Sequence, residues 1–409
     1  MDVTFRTLSL ASLALLLLPV LTLAEGPLHD CRDQFIDGDI ANAPTIGRSA
    51  PDEPFLTNVH LCYRDAESSF FALEYWAEEF APRWTAYRLV PENYGEQGCA
   101  TYTRRTGNCY ARSATWSDFE ACADGNRTPS DPFHRDHMLS GTTLVPGDFT
   151  NTGHDRGHLA PRLAFSWNAC AAYQTFTMAN MSPQRGFFNQ QIWADLERQV
   201  VTWAFDDGPL YVVSGATFRR FPHQRFAVYQ QDRTLDPDEI YRPGVRMQAV
   251  VERHREHFET YPAGHILRPA RTANPEAIAD RVRDMRMPTG YFKVIYRPAT
   301  GSEPARAIGF LLPHSFENLR LLAEAYDGLP QDEAFWAFVA RIDLIESVSG
   351  MRFPGVSDDL KRQWGDSWFL EQRTGRNIRS TACGRGTPQG VLENSTRQER
   401  IDACIQHLR

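Results

Sequence analysis

Asp155-Arg156-Gly157-His158 places an imidazole, a guanidinium and a glycine in one short stretch, and Asn189 follows thirty-one residues after the histidine. A histidine with an ordinary pKa of about 6.5 can take up a proton near neutrality, which suits a general base. Arg156 can grip two oxygens of a phosphate in parallel, as a lysine cannot. Gly157 admits backbone conformations closed to other residues, or lets a bulky group come close.

These groups must be positioned by elements. From Asn189 onward, Ile192, Leu196, Val200 and Trp203 recur at helical spacing and form one apolar stripe, with Asn189, Trp193 and Glu197 on the neighbouring one. Each residue also has a plainer reading. Asn189 is by default an N-cap, Glu197 a solvated helix residue, His158 a hydrogen-bonded loop histidine, and Asp155 a partner of nearby donors. His154 and His158 make an HxxxH pair, the zinc spacing on a helix. Gly157 within the pair and Pro161 just beyond it argue against a helix there.

Three ordered blocks, Asp155 to Pro161 (DRGHLAP), Met178 to Gln184 (MANMSPQ) and Phe188 to Glu197 (FNQQIWADLE), resemble the DNA/RNA non-specific endonuclease family. That family includes secreted bacterial sugar-nonspecific nucleases and mitochondrial endonuclease G, and has a ββα-metal (His-Me finger) core. The resemblance extends over roughly residues 60–355 and reverses the plain readings of His158 and Asn189. It implies that His158 is the general base and Asn189 the only direct protein ligand of a hydrated Mg2+, with Mn2+ as a possible substitute. It further implies that Glu197 binds the metal's waters, that Asn180 helps order the site, and that Arg156 lies near the scissile phosphate. DNA and RNA would be the substrates, held through their backbone phosphates, and the products would carry 5′ phosphates. The family usually has an arginine four residues beyond the glutamate, where this chain has Val201. Arg198 points about 100° around the helix from Glu197 and does not replace it.

Two alternatives stand beside this reading: a phosphodiesterase of the same core narrowed to one substrate, and a catalytically silent binding protein on a nuclease scaffold. Intact His158 and Asn189 count against the second.

Arg6 precedes an apolar run from Leu8 to Leu23, and Thr22-Leu23-Ala24 has the small residues of a cleavage site, so residues 1–24 are expected to be a signal peptide. The expected compartment is secreted or periplasmic, with no stable membrane association. Eight cysteines, none in a CxxC pair, agree with export and structural disulfides. Cys99 with Cys109 and Cys383 with Cys404 are plausible local pairs, but eight cysteines allow 105 connectivities. The net charge of −8 runs against the usual basic footprint of a nucleic-acid binder. From Arg127 to Arg198, however, six arginines balance six acidic residues, which leaves room for a local basic groove. Oligomeric state is unreadable.

The expected fold is α+β: a central antiparallel sheet with flanking helices and the ββα-metal core. Strands are expected at Leu210 to Val213 and Tyr291 to Tyr296, and helices at Pro275 to Arg286, Glu317 to Tyr326 and Ile342 to Ser349. An N-terminal segment (25–59) precedes one catalytic domain (60–355) carrying an insertion at 216–286, and 356–409 reads as a disulfide-stapled tail.

Overall fold

The computed structural model describes residues 27–46, 58–94 without 78, 131–139, 143–219, 285–316, 318–321 and 331–363, with residue 122 and the short strands at 102–103, 108–109 and 266–267. The signal peptide, most of the 216–286 segment and the end of the tail lie outside the described residues.

Three strands open the domain: β1 (Asn58–Arg64), β2 (Ser69–Trp76) and β3 (Ala81–Leu89). A separate hairpin follows, β4 (Asp155–His158) with β5 (Met181–Gln184), and between its strands lies helix α1 (Ala169–Gln174). Helix α2 (Ala194–Asp207) is entered through a π-helical turn at Phe188–Trp193. Strands β6 (Leu210–Thr217), β7 (Gly290–Arg297), β8 (Arg306–Pro313) and β9 (Val339–Ala340) complete the sheet, and α3 (Ile342–Ser349) follows. The seven-stranded order is β9-β8-β7-β6-β3-β2-β1, antiparallel throughout. The α+β expectation with a central antiparallel sheet therefore holds.

Strands such as β2 (SFFALEYW) are apolar on both sides because both faces of the sheet are covered. On one face, Phe35 packs edge-on to Trp84 and Phe292 onto Phe353, so the N-terminal segment and the chain after α3 form that layer. On the other, Tyr87 meets Phe165, Tyr291 meets Trp193, and Phe310 meets Trp203, which seats α2 and the hairpin region.

Expected boundaries shift where packing decides them. The segment before residue 60 is bound into the domain by the Cys31–Cys62 disulfide and by buried Phe35. Beyond residue 355, Val356 is buried and Lys361 reaches Glu346 at 2.9 Å, so the fold continues into the stretch read as a tail. Strand β6 runs to Thr217, two residues into the expected insertion. At the far end of that insertion, Met285–Arg286, the last turn of an expected helix, is instead a strand paired with Ile266–Leu267. Of the helix expected at 317–326, only 318–321 is described, helical at 319–321. The helix expected at Ile342 to Ser349 is found there.

A second disulfide joins Cys122 to Cys170 at the start of α1. Loops of 31 and 48 residues closed in this way each lend about 3–4 kcal/mol in the chain-entropy view. The side chains of the expected 99–109 and 383–404 pairs lie outside the described residues. Among the described residues, no helix is long and apolar enough to cross a membrane.

Candidate active site

The hairpin pairs Asp155 with Gln184, Arg156 with Pro183, Gly157 with Ser182 and His158 with Met181. Gly157 is needed because a Cβ there would lie 2.3 Å from the Gln184 side chain; its neighbour across the hairpin, not a ligand, sets the requirement. The four-residue stretch is thus a strand, and His154 and His158 do not share a helix face. The His154 ring lies 6.1 Å from that of His314.

His158 sits with its ring 5.7 Å from Phe133 and 5.1 Å from Phe176. Its Nε2 is buried with no hydrogen-bond partner. Burial first, then the charges of Arg162 and Arg156, pull its pKa from 6.5 to about 3, so the ring is neutral. Its carbonyl accepts from Trp193 Nε1 at 3.3 Å, tying the hairpin to the helix.

Arg156 lies over Phe133, the guanidinium carbon 3.7 Å from the ring centroid, and reaches Asp131 at 3.1 Å. The loop carrying both partners is anchored by buried Asp136. That carboxylate accepts from the Tyr63 hydroxyl, from Thr177 Oγ1 at 2.6 Å and from the backbone of Met138 at 2.8 Å.

Asn189 is not an N-cap. Its backbone N–H already donates to the Arg185 carbonyl at 2.9 Å, inside the helix. Its side-chain Nδ2 donates to Asp155 Oδ2 at 3.0 Å, and Gln190 Nε2 donates to the same oxygen at 2.8 Å. Asp155 thus fixes the amide by its nitrogen, and no hydrogen bond among the described residues engages Oδ1. Asp155, Arg156 and Asn189 line a cleft of about 570 Å³ together with Asp131, Phe133 and Phe149.

Asn180 stands behind this cleft, fully buried. Its Oδ1 accepts from Ala160 N–H at 2.9 Å, and its Nδ2 donates to the carbonyls of Ala160 at 2.9 Å and Thr175 at 2.8 Å. It clamps the hairpin to α1 and is not among the residues lining the cleft.

Glu197, one helical turn past Trp193, is raised from 4.5 to about 7, mainly by burial; Lys293 and Arg198 oppose the shift, as does a hydrogen bond from Trp193. Its Oε1 is buried and unpartnered. Below it lies Lys293, whose pKa burial lowers to about 8. The Lys293 ammonium donates to Ser214 Oγ at 2.5 Å and Tyr87 OH at 3.4 Å and sits 4.5 Å from the Trp193 ring centroid. Sequence reasoning missed Lys293, although a lysine inside the apolar run TGYFKVIY was a visible signal. Asp131 and Phe133 carried no such signal.

The cleft offers a hard oxygen donor, Asn189 Oδ1, while Glu197 is not among its lining residues, and among the described residues there is no group of three or more His, Cys, Asp or Glu that could cage an ion. That donor set fits an ion such as magnesium, which keeps most of its waters. It does not fit tetrahedral zinc.

A family profile described as DNA/RNA non-specific endonuclease matches residues 61–359. The chain belongs to this family. Similar proteins include mitochondrial endonuclease G of Bos taurus, 33% identical over 96 residues, 23% of this chain and 32% of that protein. Nuclease C1 of Cunninghamella echinulata var. echinulata is 36% identical over 131 residues, 29% of this chain and 48% of that protein. The matches thus span about a third to a half of the length of these relatives. The solved EndoG/EndoGI complex superposes with a TM-score of 0.44 at 16% identity, over 72% of this chain and 86% of that one. Where the family usually has a second arginine, Val201 is part of the core, 1% exposed.

Proposed function

We propose that this family member is a magnesium-dependent endonuclease that hydrolyses phosphodiester bonds of DNA and RNA with little sequence preference. The reading rests above all on His158, a neutral imidazole with an unpartnered Nε2, held beside Arg156 and tied to the helix that carries Asn189. His158 accepts the proton of the attacking water. Arg156, preoriented by Phe133 and Asp131, takes the oxygens of the scissile phosphate. Asn189 Oδ1 would hold the metal directly and Glu197 through its waters. When bound, the ion supplies positive charge that stabilises the phosphorane and the departing 3′ oxygen. Contacts to phosphate carry no sequence information, which accounts for broad substrate choice. Export to an oxidising compartment is part of the same reading, supported by the two disulfides.

The buried Val201 favours a second reading, a same-core phosphodiesterase narrowed to one substrate, because one phosphate contact of the family pattern is missing. The test is cleavage of supercoiled plasmid and single-stranded RNA by the mature protein, with magnesium or with chelator, beside His158→Ala. Metal-dependent cleavage of both, reduced about 10²- to 10⁴-fold in the variant, is the expected result. Cleavage of only one substrate selects the narrowed enzyme, and an inert, folded wild type overturns both.

A further inference from the structure

Arg185, Phe187 and Phe316 form a cluster beside the cleft that the reaction does not use. The Arg185 guanidinium lies 5.3 Å from the Phe187 ring centroid and 5.1 Å from that of Phe316. Phe316 is 39% exposed, so one of its faces is open to a ligand.

The cluster is held from three sides. The Arg185 N–H donates to His314 Nε2 at 3.2 Å, and His314 Nδ1 is held by the Pro288 carbonyl at 3.1 Å. Beyond Phe316, Asn318 Nδ2 donates to Gln191 Oε1 at 2.9 Å, pinning the loop to the helix. The Arg185 carbonyl accepts from Asn189 N–H at 2.9 Å, and a Cβ on Gly186 would lie 3.8 Å from Asp155 Oδ2. The aromatic pair is therefore joined through Arg185 and Gly186 to the residues that position Asn189.

We propose that Phe187, Arg185 and Phe316 are a stacking platform for an unpaired nucleobase flanking the scissile phosphate, an inference that rests on the nucleic-acid reading of the cleft. An aromatic face stacks on any base, which suits a site without sequence preference. The guanidinium adds a cation–π contribution and a charge for the neighbouring phosphate. A base within a duplex has both faces covered by its neighbours, so the platform serves single strands or locally opened ones.

The test compares wild type, Phe316→Ala and Phe316→Trp on a single-stranded oligonucleotide, a wholly abasic strand of the same length, and the matching duplex. Stacking worth about 1–3 kcal/mol corresponds to a rise of about 5- to 150-fold in KM. For Phe316→Ala that rise is expected on the intact single strand, with a markedly smaller one on the duplex and the abasic strand and recovery in Phe316→Trp. Equal effects on all three substrates, or none, overturn the platform. Anisotropy of the labelled strand in chelator separates this inference from the hydrolytic one. Binding that Phe316→Ala weakens, by a protein that cleaves nothing, upholds the platform and overturns hydrolysis; cleavage with no loss of binding in the variant does the reverse.

Discussion

Two asparagines flank the hairpin, and the structure treats them in opposite ways. Asn180, behind it, spends both ends of its amide on three backbone groups in a region closed to water. Asn189, in front, is bound through its nitrogen alone, by an aspartate that also holds Gln190. The same side chain is a structural clamp where every lone pair and proton is satisfied and a reactive group where one oxygen is left over. Incomplete satisfaction next to a cleft marks chemistry; complete satisfaction in the core marks architecture. The Nε2 of His158 and Oε1 of Glu197 are likewise buried and unpartnered, as are both ends of the Gln184 amide.

Substituting each asparagine separates the two roles. Asn189→Ala is expected to lower activity by more than about 100-fold, in line with what weaker outer contacts of metal sites already cost. Its unfolding free energy should fall by only about 0.5–1.5 kcal/mol, the worth of one half-buried hydrogen bond. Asn180→Ala leaves buried backbone groups without partners and is expected to cost about 3 kcal/mol or more in urea unfolding, with turnover per folded molecule largely retained. An Asn180 variant that keeps its stability and loses turnover would erase the contrast.

Acid should act on the reactive side next. His158 and His314 are both held near a pKa of about 3, mainly by burial, against an ordinary 6.5. In that window the unfolded chain binds protons that the folded one refuses, so stability present above pH 6.5 is lost as the pH falls toward 3. Glu197, raised to about 7, works in the opposite sense: its contribution is fullest below pH 4.5 and is lost as the pH rises through 7. Melting temperatures of the metal-free protein should therefore fall between pH 6.5 and 3, and more shallowly in His314→Gln. An equal slope in that variant removes His314 from the account.

The smallest expected effect concerns Asp131, whose half-exposed bridge to Arg156 occupies the guanidinium that a phosphate must reach. Because such exposed pairs are worth at most about 1 kcal/mol, Asp131→Asn should lower KM for nucleic acid by no more than about fivefold. A rise in KM instead would mean that Asp131 serves only to orient Arg156.

Much of the site was legible in the chain because its parts are local. The order Arg156, His158, Asn180, Asn189, Glu197 follows strand, 3-10 turn and helix, and periodicity placed Glu197 one turn beyond Trp193. Other features were not local. Lys293 reaches the ground beneath Glu197 only because β7 pairs with β6 in a register that sets it opposite Ser214. Asp131 meets Arg156 across 25 residues of chain, and Cys122 meets Cys170 across 48. The plain N-cap reading of Asn189, already set aside on the motif context, does not apply because the helix begins earlier and passes through a π turn that spacing rules for a regular α-helix do not anticipate.

The sequence by itself carried the α+β class, the helix at Ile342 to Ser349 and the motif residues proposed for the site, since hydrophobic period and short motifs are properties of neighbours along the chain. Only the tertiary structure decided which of those groups stay unsatisfied. Burial moves His158, Glu197 and Lys293 away from their ordinary pKa values, and burial is set by side chains that arrive from distant strands.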